Sequence, residues 1–313
     1  PQEVLDETGK TVFQGTYQFD QHEYTKAPVK ARTRIGGSGS KLESSIQEVL
    51  QKCNAHDGMT ISFHHHFREG DLVVMQVMNV IHELGYKDIT ICASSLSKAQ
   101  DDLVPMIEDG TVTHIETSGV RGKIGEAISE GKLKGIAILR SHGGRVRAIE
   151  TGETKIDIAF IGAPSCDEYG NCRGVGGNSN CGVLSYAAID AEYAENVVVL
   201  TDCIVPFPNF PADISMTNVD YVIKVDTIGD ADKIATGAAR PVTDMRKLMM
   251  AQSCADFIAC TPAFQDGFSF QTGIGGASIA TAQCLAEKMR EKNIHMSFGA
   301  GGMSKPMCDL LEE

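Results

Sequence analysis

Apolar residues recur along this chain in two rhythms. In "KLESSIQEVLQKC", Lys41 to Cys53, they fall at Leu42, Ile46, Val49 and Leu50, the spacing of one face of an amphipathic helix. "DLVVMQVMNVIHELG" repeats that rhythm and ends on Gly85, the residue type that most readily closes a helix. Between helical stretches stand short runs that are apolar and rich in β-branched residues: "MTISF" after an "HDG" turn, "DITICAS", "GIAILRS", "IDIAFIGAP", "NVVVLTDCIV" and "VDYVIKVD". Such runs predict strands covered on both faces. "LSYAAIDAEYAE" predicts a helix between two of them. The alternation predicts an α/β protein with open, mostly parallel sheets and flanking helices. No internal repeat is visible.

The pattern also predicts an organisation. Residues 1–40 read as an irregular arm ending in "RIGGSGS", and residues 41–245 as a first α/β domain. A seam is expected between Arg240 and Met250. Residues 246–313 then begin a second domain: "TDMRKLMMAQSCADFIA" is one helix around the seam, "GFSFQTGIGGASIATAQCLAEKMREK" is strand, glycine turn and helix, and "IHMSF" opens another strand. The sequence stops at "CDLLEE", inside an apparent helix, so this second domain is expected to be incomplete.

Charge and composition narrow the classes. Lys+Arg number 28 against 41 Asp+Glu, a net charge of −13, which argues against nucleic acid or an anionic membrane as a partner. No apolar run approaches the ~18 residues of a membrane span, and "PQEVLDETGKTVFQ" lacks a signal-peptide pattern. The ten cysteines are scattered with no C-x-x-C pair. They read as reduced thiols of a cytoplasmic protein, and no metal site is expected.

Four stretches could carry chemistry. In "FQTGIGGASIATA", Gly273, Gly275 and Gly276 lie between a strand and a helix, where backbone amides can cradle a phosphate or an oxyanion; a plain tight turn reads equally well. In "SFHHHFREGD", His64, His65 and His66 would point to alternating faces of an extended chain and could not share one metal. Arg68 beside them favours an anion-binding loop, against a polar loop entering a helix. "LRSHGGRVRAIETGE" sets His142, Gly144, Arg145 and Arg147 after a strand, as an anion site or a surface pair. In "IGAPSCDEYGNCRGVGGNSNCG", Asp167 and Asn171 read as turn-holding residues rather than catalytic ones, with Glu168 as a less favoured acid. A long glycine loop through Gly174, Gly176 and Gly177 follows.

Taken in order, "DGMTISF", "IDIAFIGAPSCDEYGN", "VDYVIKVD" and "FQTGIGG" resemble the CoA-transferase superfamily. "FHHHFREGD", "LRSHGGRVRAIETGE", "PFPNFPADIS" and "SFGAGGMSKPM" narrow the resemblance to the alpha subunits of citrate lyase, most clearly from Gly36 onward. The resemblance implies two related open α/β domains, the fold shared with ribose-5-phosphate isomerase, in chains longer than 313 residues. It implies exchange of acetyl for citryl on a thiol. The thioester donor would be acetyl-CoA or an acyl carrier protein bearing phosphoribosyl-dephospho-CoA, with no cofactor tightly bound by this chain. Citrate, the acyl carrier protein (gamma) subunit and the citryl lyase (beta) subunit would be its partners, in homo- and hetero-oligomers.

Related acyl-CoA transferases carry a nucleophilic glutamate on the strand after the glycine loop. Aligned on Ile294 and His295, that position falls on about Ser297 here. The departure implies a direct exchange through a mixed anhydride without a covalent enzyme intermediate. On that reading Ser297, Gly275, Gly276 and Gly301 serve the reacting carbonyls. Arg68, His65, His142, Arg145 and Gly144 take the substrate. Gly273, Gly275, Asn171, Gly176 and Gly177 take CoA or phosphopantetheine. Three alternatives stay open: a glutamate nucleophile at Glu168 or beyond residue 313, citramalate in place of citrate, and a ligand-binding regulator on the same fold.

Overall fold

The computed structural model describes residues 25–29, 39–236, 242–273, 275–300 and 305–312. Most of the expected arm, the start of the expected seam and Gly301 lie outside the described residues. In chain order the elements are β1 (Leu42–Glu43), α1 (Ile46–Lys52), β2 (Thr60–Phe63), α2 (Val73–Glu83), β3 (Ile89–Ala93), α3 (Val104–Glu108) and β4 (Val112–Thr117). Next come α4 (Gly122–Ser129), β5 (Ala137–Leu139), α5 (His142–Glu150), β6 (Ile158–Gly162), β7 (Ser165–Cys166), β8 (Cys172–Arg173), α6 (Ser185–Tyr193) and β9 (Asn196–Thr201). The chain continues through β10 (Tyr221–Lys224), α7 (Ala231–Thr236), α8 (Met245–Ala259), β11 (Phe268–Gln271), α9 (Gly276–Lys292), β12 (Met296–Ala300) and α10 (Lys305–Glu312).

Eight strands form one sheet in the order β1-β10-β9-β6-β2-β3-β4-β5, and every pairing in it is parallel. Both faces are covered along the inner strands, as their continuous apolar runs require, whereas β5 at the edge leaves Leu139 exposed. Along β6, Ile158 and Phe160 enter one core with α1 and α2, while Ala159 and Ile161 enter another with α5 and α6. β9 divides likewise, Val198 and Leu200 to the first core, Val197 and Val199 to the second. Each such fully buried valine, leucine, isoleucine or phenylalanine is worth ~1.5–3 kcal/mol relative to exposure. The short β7 and β8 pair antiparallel. β11 and β12 form a second parallel pair joined through α9, over a small core of Ala255, Phe264 and Leu285. Among the described residues, no helix is long and apolar enough to cross a membrane.

Four elements differ from the sequence pattern. The helix expected from Lys41 starts at Ile46, because Ser45 caps it by accepting from the Glu48 amide at 3.1 Å. Leu42 and Glu43, before that cap, pair instead with Val222 and Ile223. β4 was not legible, since Thr113, His114, Glu116 and Thr117 break its apolar run. "HGGRVRAIE", read from the sequence only as a candidate anion site after a strand, is helix α5, opened by Ser141. The strand expected from Ile294 begins at Met296, after Asn293 closes α9 with φ 51°.

Candidate active site

The chain runs outward from β2 through β3 and β4 to β5, then returns to the other side of β2 for β6, β9 and β10. The strand order therefore reverses between β2 and β6. In open parallel sheets, loops leaving the strands at such a reversal diverge and open a crevice at the carboxyl ends. The residues delivered there are His64 to Phe67 after β2, Ser94 after β3, Ser118 after β4, Ser141 and His142 after β5, and Ala163 after β6.

The histidines do not alternate between faces as an extended chain would place them. β2 ends at Phe63, and the chain turns into a short 3-10 segment at Arg68–Gly70, so the rings gather. His64 and His66 have centroids 4.8 Å apart, and His65 stacks on His66 at 5.9 Å. His142 then stacks on His65 at 5.5 Å with the rings 6° from parallel. Tyr186 lies against three of them, 5.3 Å from His65, 5.9 Å from His66 and 4.9 Å from His142. The described residues contain no group of histidine, cysteine and carboxylate side chains arranged to hold a metal.

Each ring has a defined anchor. His64 is buried, and its Nε2 is 3.0 Å from both the amide and the carbonyl of Gly162. Gly162 lies just past the last β2–β6 pair, Phe63 with Phe160, so the imidazole stands where a backbone partner would be. His66 Nδ1 is 2.9 Å from His64 Nδ1, and its Nε2 is 3.4 Å from Ser185 Oγ. His65 Nδ1 is 2.6 Å from Ser94 Oγ, and His142 Nδ1 is 2.7 Å from Ser118 Oγ. Burial, then the neighbouring His66, holds His64 well below the ordinary imidazole range. Burial, with His66, His142, Arg145 and Arg68 adding repulsion, brings His65 to about 4. His66 also falls to about 4, through burial opposed by Asp213 and assisted by Arg68. The three are neutral at physiological pH.

The arginines separate. Arg145 was expected to receive an anion, but it is 3% exposed and both guanidinium ends are engaged by Asp190, with the Cys92 carbonyl at 3.1 Å. It cannot offer a fork to a substrate without abandoning a buried carboxylate. Gly144 is likewise committed, its amide donating to the Ser141 cap at 3.0 Å. Arg68 is different. It is exposed, has no side-chain partner among the described residues, and adds positive potential to His65 and His66. Its φ of 52° is strained for a residue with a side chain, a cost that tends to persist where the geometry serves a ligand.

The remaining expected residues lie elsewhere or are committed. Asp167, fully buried, accepts from the amides of Tyr169, Asn171 and Asn209 at 3.0, 3.1 and 2.9 Å, as a turn-holding residue should. Asn171 was expected against a coenzyme, but its amide donates to Asp167 at 2.8 Å and accepts from Met216 at 3.0 Å, so it braces the hairpin. Gly176 and Gly177 were expected there too. A Cβ on Gly177 would meet the Pro164 carbonyl at 1.7 Å, so glycine is needed to pack this loop on the end of β6. Gly273, Gly275 and Gly276 follow β11, with Gly275 capping α9. Ser297 lies within β12, and its hydroxyl donates to the Gly267 carbonyl at 2.6 Å. These belong to the second sheet, as does a cavity of about 530 Å3 lined by residues including Met289, Asn293 and Met296. All ten cysteines are free thiols.

Sequence reasoning missed Tyr186, Ser94, Ser118 and Asp190. A faint signal existed for Ser94 alone: "DITICAS" ends on that serine as the strand ends.

A family model described as citrate lyase, alpha subunit, matches residues 39–313. The citrate lyase alpha chain of Escherichia coli K12 is 47% identical over 284 residues, covering 91% of this chain and 54% of that relative. A solved structure from Streptococcus mutans, described as the alpha subunit of citrate lyase in complex with citrate, is 44% identical with a TM-score of 0.91; the match covers 100% of this chain and 60% of that one. An acyl-CoA transferase from Escherichia coli O157:H7, at 14% identity and a TM-score of 0.54 over 90% of this chain and 65% of its own, shares the fold. The chain thus spans between half and two thirds of the length of the relatives it matches.

Proposed function

The chain belongs to the citrate lyase alpha subunit family, and from that premise we propose that it forms part of a transferase that exchanges acetyl for citryl on a carrier thiol. The observation that carries this reading is the crevice at the strand reversal. Arg68, without a side-chain partner among the described residues, stands beside the imidazoles and hydroxyls at the carboxyl ends of four parallel strands. A small polycarboxylate fits such a site: the arginine supplies charge, and the neutral rings supply hydrogen bonds without a desolvated counter-charge.

β12 supports the direct route. Met296 to Ala300 carries no carboxylate, and aligned on Ile294 and His295 the position of a nucleophilic glutamate would fall on about Ser297. A citrate carboxylate oxygen attacks the acetyl thioester, the C–S bond breaks and the thiolate leaves, giving an acetyl–citryl anhydride. The thiolate then attacks the citryl carbonyl, the anhydride C–O bond breaks and acetate departs. Every bond is made by a substrate atom, so the protein's task is alignment and oxyanion stabilisation. Alignment lowers such barriers by ~7 kcal/mol or more, and one good oxyanion donor adds ~3 kcal/mol. The amides at Gly275 and Gly276, at the start of α9, are suited to the second task. Acetyl-CoA or a carrier protein bearing a CoA-like arm would be the donor, and a carrier and a lyase subunit the partners.

The test uses the full-length chain. Acetyl-CoA and citrate are expected to yield citryl-CoA and acetate, and borohydride or hydroxylamine added during turnover should leave the polypeptide unmodified. A modified glutamate overturns the direct route, and no exchange in the presence of the carrier and lyase subunits overturns the function.

A further inference from the structure

We propose that His65 and His142 present opposite hydrogen-bonding edges to one substrate, and that this pair reads a hydroxyl lying beside a carboxylate. The proposal rests on the function above for its substrate class, but its argument is the wiring of two serines.

Ser94 Oγ accepts the backbone N–H of His65 at 3.0 Å. Its single proton is then free to be donated to His65 Nδ1, 2.6 Å away. Where it is so donated, the arrangement adopted here, the one N–H of a neutral His65 ring is on Nε2. Ser118 is wired the other way. Its hydroxyl donates to the Ser94 carbonyl, so its oxygen can only accept from His142 Nδ1, at 2.7 Å. With its single N–H on Nδ1, the His142 ring then has its lone pair on Nε2. Two adjacent strand ends thus hold two stacked rings, 5.5 Å apart and 6° from parallel, in opposite tautomers. Each turns its Nε2 edge away from the serine that holds it.

The crevice then offers a donor on His65 and an acceptor on His142 at one spacing. Two carboxylates side by side do not match this pair, because the second would face a lone pair. A carboxylate and a neighbouring hydroxyl do: the carboxylate accepts from His65 Nε2–H, and the hydroxyl donates to His142 Nε2. Arg145, buried beneath, and Arg68 disfavour a second proton on His65, so the asymmetry persists when the carboxylate binds. Ser94 and Ser118 are positioning residues that set it.

The test compares citrate with tricarballylate, the same tricarboxylate without its hydroxyl, by calorimetry on the full-length protein. Citrate is expected to bind about tenfold or more tightly than the analogue, the value of one satisfied hydroxyl. His142→Phe should bring citrate down to the analogue's affinity and leave the analogue unchanged. Discrimination that survives His142→Phe, or equal binding in the parent protein, overturns the proposal. Selective 15N-histidine spectra should show the neutral His65 protonated on Nε2 and His142 on Nδ1. Ser118→Ala should shift His142 towards a tautomer mixture and Ser118→Thr should restore it. The same tautomer on both rings also overturns the proposal. Exchange activity without His142-dependent discrimination would sink this inference and spare the transferase reading, whereas the converse would spare the inference alone.

Discussion

The two terminal guanidinium nitrogens of Arg145 each lie 2.9 Å from an oxygen of the Asp190 carboxylate, and both side chains are withdrawn from water. Burial works against the charge on Arg145, but the carboxylate beside it more than compensates and keeps it protonated. The pair joins α5 to α6. One turn from it on the same helices stand His142 and Tyr186, whose rings meet at 4.9 Å. The ion pair is therefore a clasp under the candidate site rather than part of its surface.

Arg145→Ala should strand a buried carboxylate and cost about 3–5 kcal/mol of stability, whereas the double change Arg145→Met with Asp190→Leu should recover most of it. Urea unfolding of the full-length chain reads both. Equal losses in the single and double variants would show that the packing around the clasp, rather than its charge, holds the helices.

The histidines predict an acid-side loss of stability. His64, His65 and His66 titrate in the fold below the ordinary ~6.5 of imidazole, two of them at about 4. Between those values the unfolded chain binds more protons, so their contribution is complete above ~6.5 and falls as the pH drops, by at most ~1.4 kcal/mol per pH unit for each ring. Asp71 runs the other way. Burial raises it to about 7, so its contribution is complete below ~3.9 and is lost as the pH rises to about 7. From about pH 6.5 to about pH 5 the net slope should approach two protons, three rings less one carboxyl, and Asp71→Asn should steepen it towards three. Denaturant unfolding across that window measures the slopes. A flat profile in both proteins would mean that the rings are solvated.

Arg68, the exposed cation of the site, should act on binding. Arg68→Ala is expected to raise KM for citrate by about 10- to 100-fold, the worth of a charge-assisted hydrogen bond, with kcat changed little and Arg68→Lys intermediate. Steady-state exchange kinetics on the full-length protein decide it. A fall in kcat at unchanged KM would place the guanidinium at the reacting carbonyl instead.

What the sequence disclosed follows from where each signal resides. β6 and β9 were legible because both of their faces are buried, so their central positions, Ile158 to Ile161 and Val197 to Leu200, had to be apolar. β4 was hidden because His114 and Glu116 stay partly exposed, though its neighbours β3 and β5 fix its backbone regardless. α5 was hidden by Gly143 and Gly144, each costing ~1 kcal/mol in a helix, which the Ser141 cap and the burial of Ala148 and Ile149 offset. His65, His142 and Arg68 could be named from residue type and neighbours. Tyr186, Ser94 and Ser118 could not, because strand order brings them to the crevice, and strand order is a property of the assembled sheet. Arg145 misled for the same reason: its partner Asp190 lies on another helix.

Gly162 offers the sharpest test of how the cluster is held. A Cβ there would lie 2.3 Å from Phe67 Cε2 and 2.9 Å from Val73 Cγ2. Phe67 is fully buried, and its ring packs 5.4 Å from that of His64, whose Nε2 rests on the Gly162 backbone. Gly162→Ala must therefore displace Phe67, and Phe67 cannot move without disturbing His64. The expected cost is about 1–3 kcal/mol of stability, with citrate affinity falling alongside it. Adding Phe67→Leu should relieve the clash at the ring edge and return part of both. If Gly162→Ala keeps its urea midpoint and its affinity, the ring has slack, and His64 is held by its neighbours on β2 rather than by the end of β6.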